Sequence, residues 1–258
     1  VKVRIMGCGT SSGVPRVGDD WGECDRDEPR NRRRRASIII SYGETRILVD
    51  TSPDLREQLL DARVSDIEAV IWTHDHADHC HGIDDLRQLY FSRRRPVAGY
   101  ARREALDLLQ RRFAYAFEGK GGYPAVVNPH LLPNHINLGG ISIRAVDQPH
   151  GEITSAGIRF DAGGVSIGYS TDFNAMTDDM KMLFEGLDLW VVDALRRRPH
   201  PTHPHLAGTL EWIRTLAPKR AILTHMDNSL DYRTLCAELP AGVEPAYDGL
   251  EVDLGAPA

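Results

Sequence analysis

Apolar and polar positions along the 258-residue chain follow two periods, one of strands and one of helices. Short β-branched or alternating runs at 2–6, 37–42, 46–50, 67–72 and 96–100 predict strands. Between them, a helix is predicted from Pro53, with Ser52 as N-cap and the proline in the first turn. The stretch Gly82 to Phe91 carries apolar residues at helical spacing. Arg102 to about Phe117 does the same, with Leu106, Leu109 and Phe113 on one stripe, and Gly119 and Gly121-Gly122 end it. Gly7 to about Ala36 is rich in Gly, Pro and charge and reads as a long loop. The second half predicts strands near 126–132, 141–147, 156–161, 165–169, 188–193 and 220–224. Helices are expected from about Ala175, from Leu206 and near 229–238.

Runs of strands broken by a few helices imply two sheets covered on their outer faces by helices. This is an α+β protein with a four-layer αββα sandwich, expected to form one domain over 1–258. Hydrophobic content of 41% and charged content of 26% are ordinary for a globular protein. No apolar run approaches the about eighteen residues of a membrane span. The opening Val1-Lys-Val-Arg-Ile-Met6 reads as a strand rather than a secretory signal, and Cys8, Cys24, Cys80 and Cys236 form no CxxC pair. A reducing cytoplasm is the expected compartment.

Net charge is −6, yet arginines cluster at Arg32 to Arg35, Arg93 to Arg95 and Arg196 to Arg198. Such runs are usually solvated faces, although a guanidinium fork also suits a phosphate. The acidic balance argues against extended nucleic-acid binding.

Chemistry concentrates in His74-Asp-His76-Ala-Asp78-His79, three imidazoles and a carboxylate at a predicted strand-to-helix turn. Nitrogen and oxygen donors at this density suit divalent cations. His74 and His76, two residues apart on extended chain, can face one metal, while Asp78 and His79 on the bend face a second. A His-rich surface loop with Asp78 capping the next helix is the plainer alternative. A dinuclear site needs further donors, and three follow strands later in the chain. His150 comes after 141–146, where Pro149 is expected to end the strand. Asp172 follows 165–171, and His225 follows 220–224.

The pattern THDHADH, PH at 149–150, STD at 170–172 and THM at 224–226 resembles the metallo-β-lactamase superfamily of metal-dependent hydrolases, over nearly the whole chain. The resemblance implies that His74, His76 and His150 hold one metal and Asp78, His79 and His225 the other, with Asp172 bridging. Two cations sharing a water lower its pKa and present hydroxide to an electrophile. Zinc, manganese and iron all suit such donors.

Further segments, Gly7 to Pro15, Asp50 to Asp54 and Tyr247 to Leu250, resemble the branch holding ribonuclease Z and the cyclic phosphodiesterase of the carbon–phosphorus lyase pathway, more closely the latter. That implies hydrolysis of a small cyclic phosphate or nucleotide-like ester. The position of His203 in this branch implies a general acid that protonates the leaving alkoxide, with His200 and His205 as competitors. Asp78 and His203 are thus the candidate catalytic residues. Relatives often carry closely spaced cysteines for a structural zinc after Gly-Val-Pro. Here only Cys24 stands there, so no structural zinc is expected. Asp84, Asp85 and Arg87 follow the metal turn closely enough to line a pocket, and Arg32 to Arg35 are in reach of it from the N-terminal loop; surface charges explain them equally well. A ribonuclease, a thioesterase or lactonase, and a non-enzymatic metal-bound sensor are the alternatives, and a homodimer is the default assembly.

Overall fold

A computed structural model describes residues 1–255, and its strands fall into two seven-stranded sheets. The first has the order β14-β1-β2-β3-β4-β5-β6. It comprises β1 (Lys2–Gly7), β2 (Ser37–Tyr42), β3 (Thr45–Val49), β4 (Ala69–Ile71), β5 (Val97–Ala101), β6 (Val127–Leu131) and β14 (Glu251–Asp253). The second, in the order β13-β12-β11-β10-β9-β8-β7, comprises β7 (His135–Leu138), β8 (Ile141–His150), β9 (Ile153–Ala162), β10 (Val165–Ser170), β11 (Leu189–Asp193), β12 (Ala221–Thr224) and β13 (Val243–Pro245). Each sheet is antiparallel on one side and parallel on the other: β3 to β6 run parallel, as do β10 to β13.

Period-two alternation sorts the strand side chains between two cores. Ile38, Ile40, Ile47, Val49 and Ile71 join Ile143, Ile158, Phe160, Ile167 and Tyr169 in one cluster that spans both sheets. Their sequence neighbours Ile39, Leu48, Val70 and Trp72 face outward. They pack on Leu55 and Leu59 of α1 (Leu55–Ala62), Leu86 and Leu89 of α3 (Leu86–Arg93), and Leu106 and Leu109 of α4 (Arg103–Arg112). The second sheet is covered by α6 (Asp178–Phe184), α7 (Leu206–Leu216) and α8 (Tyr232–Glu238), which contribute Phe184, Ile213 and Leu235 to the first cluster. The layers are therefore α, β, β, α, as the pattern of periods predicts. No helix among the described residues is long and apolar enough to cross a membrane.

Several boundaries differ from the sequence expectation. β8 does not stop before Pro149: it runs to His150, pairing Pro149 with Thr154. The carbonyl of Pro149 accepts from Asn174 N, on the side away from β9, so the missing N–H removes no bond from that ladder. The helix expected over 102–117 is two, α4 and α5 (Ala114–Glu118), broken at Phe113, whose φ of −119° is not helical. Ser52 does not cap α1; its hydroxyl accepts from Asp54 N, and the helix begins after Pro53. The segment 82–91 opens as a 3-10 turn at Ile83–Asp85 before α3, and the helix expected from Ala175 starts at Asp178, capped by the Thr177 hydroxyl. Strands β7, β13 and β14 were not expected.

Two close approaches shape the turn after β4. A Cβ on Gly82 would sit 2.0 Å from the Ser52 carbonyl oxygen, so only glycine lets α1 and the turn meet. One on Gly99 would come within 2.6 Å of Trp72 Cζ3. The buried Trp72 indole donates to Thr51 Oγ1 at 2.9 Å, and Thr51 N donates to the His79 carbonyl. The tryptophan thus seats the turn on the sheet.

Candidate metal centre

The chemistry-bearing residues gather where strands of both sheets end at their carboxyl termini. After β3 stands Asp50, after β4 the turn His74 to His79 with α2 (Ala77–Cys80), at the end of β8 His150, after β10 Asp172, at the end of β11 Asp193, and after β12 His225. Asp50, Asp172 and His225 take left-handed backbone, with φ of 64°, 55° and 57°. For residues with a Cβ this costs about 1–2 kcal/mol each, offset by surrounding contacts.

The structure brings all seven expected donors together. His74, His76, His150 and Asp172 present ligand atoms within 4.8 Å of one another, and so do Asp78, His79 and His225. The two groups meet at Asp172. Its Oδ1 lies 3.8 Å from His74 Nε2 and 3.7 Å from His150 Nε2, while Oδ2 lies 3.1 Å from His79 Nε2 and 3.4 Å from His225 Nε2. Asp172 is held by its own peptide: its N–H donates to Asp193 Oδ2 at 2.9 Å, and its carbonyl accepts from Ser155 Oγ at 2.7 Å.

Orientation of the imidazoles was not legible beforehand, and two carboxylates without an expected role supply much of it. A carboxylate only accepts, so the 2.7 Å contact of Asp50 Oδ2 with His79 puts the proton on Nδ1. Asp50 also accepts from Thr73 Oγ1, whose lone pair then takes the Nδ1 proton of His74 at 3.0 Å. A single buried aspartate thereby orients one histidine of each group. Asp193 does the corresponding work opposite, its Oδ2 standing 3.0 Å from His203 Nδ1. His150 donates from Nδ1 to the Thr202 carbonyl at 2.9 Å. Both aspartates stand at strand ends, and Asp50 also opens the Asp50 to Asp54 segment, but neither signal says which histidine each would hold.

The donor set fits a pair of divalent ions by an observation internal to the fold. Nε2 of His74 and of His79 is buried and makes no hydrogen bond, while Nδ1 of each is engaged from behind. Imidazoles held at one nitrogen with the other aimed into a cluster of carboxylates are arranged as metal ligands are. Electrostatics agree. Burial opposes charge on Asp78, yet His79 and His225 hold its carboxyl far below the usual range. Asp172 is likewise kept ionised by His225 and His79. Burial lowers the affinity of His225 for a proton, but Asp172, Asp193 and Asp78 outweigh it and raise its pKa to about 9.

His203 lies beside this cluster, its Nε2 3.7 Å from Asp172 Oδ1 and its ring stacked on His225 at 4.9 Å. His200 approaches His203 at 5.1 Å between ring centroids, with Nδ1 taken by Thr202 N–H at 3.3 Å. His205 precedes α7 as its N-cap residue. Arg33 to Arg35 of the first arginine run are engaged elsewhere. Arg33 is buried and donates to the carbonyls of Asp227 and Leu230, Arg34 pairs with Asp248 and Asp61, and Arg35 with Asp54. Arg87 of α3 donates from Nη2 to both carboxylate oxygens of Asp84, in the turn before the helix.

A family model described as a beta-lactamase superfamily domain matches residues 45–226. In sequence, the chain is 29% identical over 261 residues to an octanoyltransferase of Porphyromonas gingivalis; the match covers 97% of this chain and 51% of that protein, so the chain spans about half its length. In structure, it superposes on a diphosphatase from the PhnP family with a TM-score of 0.90 and 35% identity, over 99% of this chain and 98% of that one. Zinc-bound PqqB from Methylobacterium extorquens superposes with a TM-score of 0.80 at 21% identity, over 98% and 100%, a likeness of fold.

Proposed function

The chain belongs to the beta-lactamase superfamily, and we propose that it is a hydrolase of phosphodiesters in small anionic molecules, such as a cyclic phosphate or a nucleotide-like ester. In this reading His74, His76 and His150 would hold one divalent ion and Asp78, His79 and His225 a second, with Asp172 shared between them. Zinc or manganese suits these donors, and iron does as well. When bound, such a pair acidifies a shared water and takes up charge from the reacting phosphoryl oxygen.

The observation that carries the phosphodiester reading is His203. Asp193 accepts from His203 Nδ1 and so sets the orientation of the ring, whose Nε2 faces the cluster from the side of Asp172. An alkoxide is a poor leaving group and needs a proton as the P–O bond breaks. The donor cluster serves carbon and phosphorus centres equally, whereas a positioned acid favours a substrate with a reluctant leaving oxygen. A diphosphate linkage is the second reading, favoured by the 35% identity to the diphosphatase.

Purified protein loaded with zinc or with manganese, presented with a phosphodiester, a diphosphate, a thioester and a lactone, tests the choice. Turnover of the phosphodiester ahead of the others is expected. Turnover of only the thioester or lactone would overturn the assignment, and preference for the diphosphate would replace it with the second reading.

A further inference from the structure

Among the imidazoles of the first group, His76 is held differently from the other two. His74 is gripped at Nδ1 by Thr73 and His150 by the Thr202 carbonyl. His76 is exposed, its ring lies edge-on to that of His74 at 4.5 Å, and the one ring hydrogen bond found for it among the described residues runs across the cluster, from Nδ1 to His150 Nε2 at 3.3 Å. Among the described residues no hydrogen-bond partner behind the ring sets its angle, as Thr73 and the Thr202 carbonyl do for the other two. Its position must therefore come from the backbone on which it stands.

That backbone is clamped. Arg112, in the last turn of α4, donates through Nη1 to the carbonyl oxygen of Asp75 and through Nη2 to Asp75 Oδ2 at 2.9 Å. The Asp75 carbonyl belongs to the peptide unit that joins Asp75 to His76, so fixing it fixes the plane from which His76 departs. Cys80 Sγ donates to the same oxygen at 3.2 Å and lies 3.6 Å from Arg112 Nη1, so thiol and guanidinium meet at that carbonyl together. α4 is itself anchored by Ala105, Leu106 and Leu109 in the outer core. The clamp thus ties the turn to a rigid element rather than to another loop.

We propose that Arg112 is a positioning residue for the first metal ion, acting on His76 through the Asp75 peptide as ring partners act on His74 and His150. A guanidinium is suited to this because its planar fork meets a carbonyl and a carboxylate at once, which an ammonium cannot reproduce. The inference rests on the metal reading above and extends it to a residue that touches neither ion nor substrate.

Cobalt titration of the metal-free protein against a competing chelator, followed by visible absorption, tests it. The wild type is expected to bind two equivalents. In Arg112→Met one equivalent should weaken about tenfold or more, the scale of an outer partner's contribution, with an altered cobalt spectrum. The other equivalent should bind as before, and the melting temperature of the metal-free variant should not change. Asp75→Asn keeps the carbonyl contact and should give a smaller loss; combined with Arg112→Met it should add nothing to the arginine variant alone. Unaltered binding in Arg112→Met, equal weakening of both equivalents together with a lower melting temperature, or additive losses in the double variant would overturn the positioning role. If Arg112→Met does not fold, wild-type binding in Asp75→Asn overturns it and selective weakening supports it. A wild type that binds no cobalt would instead sink the metal reading, and this inference with it.

Discussion

Asp193 Oδ2 accepts at once from His203 Nδ1, at 3.0 Å, and from the backbone N–H of Asp172, at 2.9 Å. One buried carboxylate therefore sets both the candidate acid and the peptide of the candidate bridging ligand. Its effect on catalysis should depend on the leaving group. His203→Ala should slow a diester with an alkoxide leaving group by ~10²-fold or more, the usual contribution of a positioned acid. Bis(p-nitrophenyl) phosphate, whose phenolate needs no proton, should be much less affected. Asp193→Asn should follow the same ranking, measured as kcat on the two substrates. Equal losses on both would remove the acid role.

Asp50 holds one histidine of each donor group by different routes, His79 directly and His74 by way of Thr73. Asp50→Asn should lower affinity for both equivalents, by about 10–100-fold each if the chain behaves as outer carboxylate partners do. Chelator competition on the purified variant checks this. Loss at one equivalent alone would show that the Thr73 route carries nothing.

The metal-free protein should lose stability as pH rises. His225 has a pKa of about 9 in the fold, against about 6.5 when unfolded, because Asp172, Asp193 and Asp78 outweigh the effect of burial. A raised folded pKa means the unfolded chain releases its proton first. The stabilisation is present in full below about pH 6.5 and fades as pH climbs through about 9. His79 is raised in the same sense. Metal ions compete with these protons, so metal affinity should rise over the same interval. Melting temperatures of metal-free and zinc-loaded protein across pH 6–9.5 should diverge; parallel curves would contradict the titration.

Gly99→Ala should destabilise the fold by about 1–3 kcal/mol, since its Cβ would enter the space of Trp72 and Val127. Chemical denaturation measures this. Because Trp72 seats the turn that carries His74, metal affinity should fall as well.

Much of this was legible in the chain, and what was not has a common cause. The seven donors stood out because four are packed into one turn and the others each follow a strand. The layers followed from period-two alternation, visible in Ile38, Ile39 and Ile40 going to opposite cores. Relations set by distant chain left no local mark. Arg33 looked like part of a solvated run, yet its carbonyl partners lie 194 and 197 residues away. Strand β14 exists only through pairing with β1 at the other end of the sequence, as Lys2 opposite Asp253 shows. Asp193 resembled any aspartate at a strand end, and Asp50 stood in a family-like segment with no role attached, until their histidines were placed. Pro149 was read by its intrinsic habit, and the open side of β8 overrode it.

The most direct test of a two-ion phosphodiester hydrolase bridged by Asp172 is stepwise zinc or manganese addition to the metal-free protein, with turnover of bis(p-nitrophenyl) phosphate followed against metal bound. Turnover should reach its maximum only as the second equivalent binds, and Asp172→Ala should show none at any metal concentration. Full turnover at one equivalent, or undiminished turnover in Asp172→Ala, would contradict it.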